Sequence, residues 1–590
     1  MKKKFNSSND PDAPRFHGWS SLLAFFTGVG SLATLIVQLG FVGQVTPTIH
    51  LITLGLAVLF TFEQVLALPD ILKRSKKAQR KLWLLVVAVI TLALMVVLAV
   101  AGWIDGHDHK LSLLAHATVQ TIIFVTLFLR GLRHQARLTA VTLRPGWLLM
   151  GSFGSVVIVG TLLLKMPLAV TEGNTLTWLD SLFTSTSAVC VTGLVVHNTA
   201  EFFTPTGQMI LLVLIQFGGL GIMTITFFMA AVLFQGMSLH DRFLLGEMIA
   251  EKRLAHVGET LRFILLFTFV TEAIGAIAIY FCLPEDRPTA ERIYQSIFHS
   301  ISAFCNAGFS TLPNGLADEW VKDHGTLQVV ITLLAIAGGL GSLVVYDTLH
   351  YLRSRIARLF SREVRRPRLR VHTRIVWFMS ALLLFGGWPL LYFTEFVIFD
   401  GNQNAGPWMT ALFKSGAART SGFNSVDMGE VSNLSIHILA FLMFVGGSPG
   451  GTAGGLRTTV VAMAAIYLWN MLRGTGQIVL FHRRLPAEVG PRALGVIVLG
   501  IGWLFVNFAI LRQIQPENIP DSKLFFELVS AFGTVGLSLN LTPELTSAAK
   551  VLILINMFVG RIGLLTLIIT VMPLGKKRKL AHPQEDILLV

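Results

Sequence analysis

Four glycines, Gly193, Gly308, Gly422 and Gly536, stand 115, 114 and 114 residues apart, each near the end of a short segment that follows a long apolar run. The segments read Thr184-Ser-Thr-Ser-Ala-Val-Cys-Val-Thr-Gly193-Leu194, His299-Ser-Ile-Ser-Ala-Phe-Cys-Asn-Ala-Gly308-Phe309, Ser415-Gly-Ala-Ala-Arg-Thr-Ser-Gly422-Phe423 and Ser530-Ala-Phe-Gly-Thr-Val-Gly536-Leu537. Self-similarity at a fixed period marks a structural unit used several times. A chain spaced this way must bring four equivalent pieces into equivalent environments.

Composition sets the solvent of those pieces. Of 590 residues, 53% are hydrophobic and only 14% charged, and the mean hydropathy is +0.67. That excludes a soluble protein with several ordinary cores and implies an integral membrane protein whose main partner is the lipid bilayer. The net charge of +14 does not indicate nucleic acid, because Lys and Arg sit in short blocks between apolar runs, as cytoplasmic flanks do. Cys190, Cys282 and Cys305 form no paired spacing and are expected as free thiols. The opening Met1-Lys-Lys-Lys precedes no small-residue cleavage site, so no removed signal peptide is expected.

Crossing roughly 30 Å of hydrocarbon takes about 20 apolar residues in a helix. Such runs occur near 19–42, 48–70, 82–104 and 111–133, then as outer helices near 146–168, 260–283, 374–399 and 491–512, and as inner helices near 206–235, 325–350, 434–470 and 548–573. The expected fold is an all-α membrane protein of about 12 spans: four pseudo-symmetric helix–pore loop–helix repeats around one pore, preceded by about four extra transmembrane helices. The expected divisions are an N-terminal four-helix extension over 1–142, repeats over 143–245, 246–358 and 359–478, and a fourth repeat with a short cytoplasmic tail over 479–590. Basic blocks at 2–4, 73–81, 130–144, 353–374, 473–492 and 576–579 then share one face. This places both termini in the cytoplasm of a plasma-membrane protein and opens the glycine segments to the outside.

Between outer and inner helix, each repeat holds an amphipathic stretch too short to span, followed by an extended, glycine-containing stretch. Non-helical backbone is tolerated at membrane depth only inside protein or around a watery cavity. A short helix entering from outside aims its partially negative C-terminal end at that cavity, which favours a cation, and carbonyl oxygens can replace a cation's water shell. Glycine permits the required dihedrals and leaves the passage clear. The candidate carbonyl ligands are those of Cys190, Val191, Thr192 and Gly193; Cys305, Asn306, Ala307 and Gly308; Arg419, Thr420, Ser421 and Gly422; and Gly533, Thr534, Val535 and Gly536. The competing explanation, four helix-packing glycines, leaves the common interval and context unaccounted for.

The strings Ala188-Val-Cys-Val-Thr-Gly-Leu194, Cys305-Asn-Ala-Gly-Phe309, Ala418-Arg-Thr-Ser-Gly-Phe423, Gly533-Thr-Val-Gly-Leu537 and Met557-Phe-Val-Gly-Arg-Ile-Gly563 resemble the ion-conducting membrane subunit of the Trk/Ktr/HKT superfamily of potassium transporters, KtrB/TrkH-like, over about residues 143–580. The resemblance implies K+ as the transported ion, bound by backbone oxygens at the four glycines. Relatives with Ser at the first position tend to favour Na+, whereas all four positions here are Gly. It also implies a homodimer docked on a cytoplasmic ring of nucleotide-binding regulatory subunits, with basic loops 236–258 and 351–373 and the C-terminal tail as docking surfaces. The expected function is potassium uptake through a channel-like pore. A sodium-permeable or poorly selective transporter of the same fold is the alternative, with Na+ as a further ion. A membrane enzyme or receptor with a polar cavity would need convergent acids, histidines or a nucleophile, which the sequence does not show. No Walker or dinucleotide glycine motif occurs either.

The third inner run is interrupted by Gly446-Gly447-Ser448-Pro449-Gly450-Gly451-Thr452-Ala453-Gly454-Gly455, which cannot continue as a regular helix. Its start and Arg561 lie 24 and 25 residues beyond Gly422 and Gly536, hence at matching depth. The loop is expected to close the cavity, held by Arg561 donating to its carbonyls. The plainer alternative is a packing kink with Arg561 snorkelling. In relatives such a gating loop and arginine occupy these motif positions, and Arg457 stands where they often carry Lys. The Arg419 side chain is expected behind the filter, bonded to backbone carbonyls; His197, His299 and Cys305 are expected as packing residues without ligand spacing. In the front end, Glu63 and Arg130, Arg133 and Arg137 distantly suggest a voltage-sensing bundle, but the arginines crowd the cytoplasmic edge, where anchors belong.

Overall fold

The computed structural model describes residues 18–42, 46–74, 115–120, 122–123, 145–233, 257–322, 324–360, 368–398, 407–474, 478–481 and 483–571. The chain divides into two compact units, one of residues 1–141, 162–176 and 203–210 and one of 142–161, 177–202 and 211–590.

In the first unit, α1 (Gly18–Val37) ends in a π-helical turn, Gln38–Val42, and packs on α2 (Pro47–Arg74). Gly30 lets them approach: a Cβ there would stand 3.0 Å from Leu56. Lipid offers polar side chains no partner, so they find one another. Ser31 Oγ donates to Gln120 O at 2.8 Å, Gln120 Nε2 donates to Thr53 Oγ1 at 2.8 Å, and the ring nitrogens of His50 and His116 lie 2.8 Å apart. The span expected over 82–104, most of that over 111–133, the Glu63 side chain and Arg130, Arg133 and Arg137 lie outside the described residues.

Beyond residue 144 the described α-helices of eight residues or more are α3 (Pro145–Leu164), α4 (Trp178–Val189), α5 (Pro205–Leu233), α6 (Val257–Cys282), α7 (Thr289–Cys305), α8 (Gly325–Leu340) and α9 (Ser342–Phe360). They continue with α10 (Val371–Tyr392), extended by a π-helical turn over Phe393–Ile398, then α11 (Pro407–Ala417), α12 (Asn433–Phe444), α13 (Thr458–Leu472), α14 (Val489–Ile514), α15 (Asp521–Gly533), α16 (Ser547–Ile562) and α17 (Leu564–Val571). A two-stranded antiparallel hairpin, Val479–Leu480 against Arg483–Arg484, departs from the all-α expectation.

Among the described residues three helices, Arg262–Cys282, Val371–Ile398 and Val489–Ile514, are each long and apolar enough to cross a membrane, and the bent pair α8–α9 passes the same test only when its two halves are taken together. The run expected as one helix over 325–350 is therefore two. The chain turns by 98° at Gly341, whose φ is +85°. A Cβ at Gly341 would strike the Gly450 carbonyl carbon at 2.8 Å, so the break needs glycine for both dihedral and space. The run over 548–573 likewise breaks at Gly563 (φ +91°), and that over 434–470 stops at Phe444 and resumes at Thr458.

One packing unit recurs in the second unit. Gly275 of α6 faces Ser300 Oγ of α7 and Leu334 of α8; Gly387 of α10 faces Ser415 Oγ of α11 and Leu442 of α12; Gly160 of α3 faces Ser185 Oγ of α4 and Leu214 of α5. The serines donate to the outer-helix carbonyls of Glu272 (2.6 Å), Leu384 (2.9 Å) and Val157 (2.8 Å). Small residues let the backbones meet closely, and the hydroxyl fastens the short helix to its long neighbour. Around the fourth short helix the tie is different: Trp503 Nε1 of α14 donates to Asn556 Oδ1 of α16 at 2.8 Å. Two ion pairs add cross-links, the buried Lys414–Glu395 at 3.2 Å and the partly buried Lys550–Asp180 at 2.7 Å.

Candidate ion pathway

Each glycine segment follows the C-terminus of a short helix. Thr177 caps α4, accepting from the Asp180 amide at 3.1 Å. At the other end, the residue two before each glycine adopts a left-handed conformation: Val191 (φ +55°), Asn306 (φ +61°), Thr420 (φ +74°) and Thr534 (φ +48°). The glycines themselves have φ of +91°, +69°, +73° and +95°. For β-branched Val191, Thr420 and Thr534 this costs about 1–3 kcal/mol each, a strain that clusters at functional sites.

Local hydrogen bonds hold the strained turn. Thr192 N, Ala307 N and Val535 N donate to Ser187 O, Ser302 O and Ser530 O at 2.8, 2.8 and 2.9 Å. The same serines use their hydroxyls: Ser187 Oγ and Ser530 Oγ accept from Gly193 N and Gly536 N at 3.1 Å, and Ser302 Oγ donates to Phe309 O at 2.7 Å. These serines, six residues before the glycine in three segments, were visible in the repeated strings but carry no role in the sequence reading.

The four segments meet. A Cβ on Gly193 would lie 2.4 Å from Ala307 O, on Gly308 2.9 Å from Gly422 Cα, on Gly422 2.3 Å from Val535 O, and on Gly536 2.1 Å from Thr192 O. The contacts run first to second, second to third, third to fourth and fourth to first, closing a ring. Above it a cavity of about 640 Å3 has all four glycines in its lining, with Asn198, Asn314, Asn424 and Asn540 among its polar groups. Asn198 Nδ2 donates to Pro313 O at 2.8 Å and Asn540 Nδ2 to Asp427 Oδ1 at 2.9 Å, tying neighbouring loops together.

On the other side of the ring lies the glycine loop. Gly454 abuts Thr534, a Cβ there standing 2.2 Å from Oγ1, and Gly455 N donates to Gly560 O at 3.2 Å. Ser448 Oγ donates to Gly339 O at 2.7 Å, Thr452 N to Gly338 O at 3.2 Å, and Thr452 Oγ1 to Phe304 O at 3.3 Å. Gly446, Gly447 and Gly451 face Gly454 O, Ala453 and Gly339 O, while Gly450, at φ +78°, sits near Leu343 and beside Pro449. Arg561 is fully buried; Nη1 donates to Thr452 O and Nη2 to Gly218 O at 2.6 Å. Arg457 Nη1 donates to Ser448 O at 3.1 Å and Ala453 O at 3.3 Å. The Arg419 guanidinium turns away from the ring to Ser380 O (3.2 Å) and Ser380 Oγ (3.0 Å).

Cys190 and Cys305 are buried free thiols, and Cys305 Sγ lies 3.8 Å from Gln216 Oε1 and 3.9 Å from Glu272 Oε1. Gln216 Nε2 reaches Glu272 at 3.0 Å, a carboxyl–amide contact the sequence reading missed because 56 residues separate the partners. His197 stacks on Phe202 and its Nε2 lies 3.6 Å from Asp180.

The family described as TrkH, cation transport protein, matches residues 114–580. The chain is similar to the potassium/sodium uptake protein NtpJ of Enterococcus hirae, at 33% identity over 456 residues covering 76% of this chain and 97% of that protein. It is equally similar to the Ktr system potassium uptake protein B of Bacillus subtilis, at 33% identity over 435 residues, 72% of this chain and 93% of that one. The fold is that of the potassium transporter TrkH from Vibrio parahaemolyticus, with a TM-score of 0.58 at 15% identity, covering 94% of this chain and 99% of that one. A match over most of the length, together with this helical fold, makes the chain a member of the TrkH family of cation transport proteins, a multi-pass membrane transporter and not an enzyme.

Proposed function

We propose that the protein carries K+ into the cell through one pore, built by four helix–loop–helix repeats, with the backbone carbonyls of the glycine segments as its selectivity filter and residues 446–455 as its gate. The observation that carries this reading is the closed ring of four segments, each with a left-handed residue two before a left-handed glycine. Four helix C-termini converge on it, which favours a cation, and the alternating dihedrals turn main-chain oxygens toward an ion rather than toward one another. The potassium uptake named in both curated relatives supports K+ as the ion. The glycine loop lies between the ring and the opposite side of the membrane, and Arg561 pins it while adding a positive charge that opposes cation entry.

In this reading the protein sits in the plasma membrane with cytoplasmic termini, pairs as a homodimer and docks on a nucleotide-binding regulatory ring. Purified protein in liposomes tests the core of it: K+ or Rb+ uptake in excess of Na+ uptake is expected. The sodium named in the Enterococcus relative makes Na+ permeation the second reading, which equal Rb+ and Na+ uptake would favour.

A further inference from the structure

Counting nine residues back from the four ring glycines gives Thr184, His299, Phe413 and Glu527, and counting two forward gives Val195, Ser310, Asn424 and Ser538. In the second and fourth segments these positions are joined. His299 Nδ1 is committed to Gln295 O at 2.8 Å, so Nε2 accepts from Ser310 Oγ at 2.9 Å. Glu527 is fully buried and makes no ion pair among the described residues; Thr542 Oγ1 donates to its Oε1 and lies 3.1 Å from Ser538 Oγ, so the carboxyl reaches Ser538 through Thr542. A buried acceptor nine residues before the glycine is thus linked twice to the serine just past it, directly from His299 and through Thr542 from Glu527. The first and third segments carry no such pair: the Thr184 hydroxyl is buried without a partner, and Phe413 has none to offer. Because the ring runs first, second, third, fourth, the two joined segments are diagonal.

We propose that Glu527 and His299 are positioning residues that brace two opposite segments of the ring, and that this brace sets the discrimination of K+ from Na+. The proposal rests on the ring being the filter. Ions differing by a few tenths of an ångström in radius are distinguished by how firmly carbonyls are held and how many reach the ion. A segment fixed at Gly536 N by Ser530 and again at Ser538 by Thr542 held on Glu527 has little freedom to collapse on a smaller ion.

The test is the K+/Na+ permeability ratio of purified protein in bilayers. Glu527→Leu removes the acceptor and is expected to lower the ratio about tenfold, the worth of one hydrogen bond to a charged group, whereas Glu527→Gln, which keeps an acceptor oxygen, stays within about twofold. Ser538→Ala, a small change in volume that decides the matter if Glu527→Leu does not fold, should match Glu527→Leu, and the double variant should lose no more. Thr184→Val, at the same register in an unbraced segment, should leave the ratio unchanged. An unchanged ratio in Ser538→Ala, a Gln variant as damaged as Leu, or an equal fall in Thr184→Val overturns the brace. Wild-type protein without discrimination would instead overturn the filter reading.

Discussion

Arg561 spans two elements at once: one guanidinium nitrogen donates to Thr452 O inside the glycine loop and the other to Gly218 O of α5, 2.6 Å away. A charged donor to a buried carbonyl is worth about 1.5–3 kcal/mol, so losing both should shift the loop toward its open position. Arg561→Ala is expected to raise Rb+ flux in liposomes by tenfold or more, about 1.4 kcal/mol per decade. Arg561→Lys should fall between, because one ammonium cannot reach both carbonyls in fork geometry.

Gly451 tests the loop from its other end. A Cβ there would lie 2.6 Å from Gly339 O, backbone that cannot move aside. Gly451→Ala should unseat the loop and increase uptake several-fold; so should deletion of Gly450 and Gly451. Unchanged uptake in both would remove the gating role.

At the ring, Gly193→Ser combines a left-handed dihedral of +91° with a Cβ 2.4 Å from Ala307 O. The expected result is a K+/Na+ permeability ratio about tenfold lower, read from reversal potentials in bilayers, with the protein still folded because the strain is local and of order 1–3 kcal/mol.

Stability in detergent reports on the buried pair Lys414–Glu395, whose side chains are 3% and 5% exposed. Lys414→Met strands the carboxylate, which also accepts from Ser432 N at 3.2 Å, and should cost about 3–5 kcal/mol in thermal or chemical denaturation. Adding Glu395→Gln should recover most of the loss. A single variant as stable as wild type would show that the pair is hydrated.

What was legible in the sequence was what backbone sterics enforce. The ring glycines stand out because only glycine takes a left-handed dihedral and a close neighbour together, and the loop because six glycines and a proline within 446–455 break any helix. Gly341 escaped notice because a lone glycine in an apolar run reads as a packing contact; only the approach of Gly450 reveals it as a bend. The His50–His116 and Gln216–Glu272 contacts escaped for another reason. Isolated polar residues in apolar helices carry no period, and their partners lie 66 and 56 residues away. The serines behind the glycines were in plain view, but their hydroxyl bonds depend on the turn that follows.

Among the described residues a loop of this length interrupts the inner run of the third unit alone, so the four units are alike at their glycine turns and unlike beneath them. In the proposed reading, one unit then serves as the door and another, through Arg561, as the latch, a division of labour that four identical chains could not make.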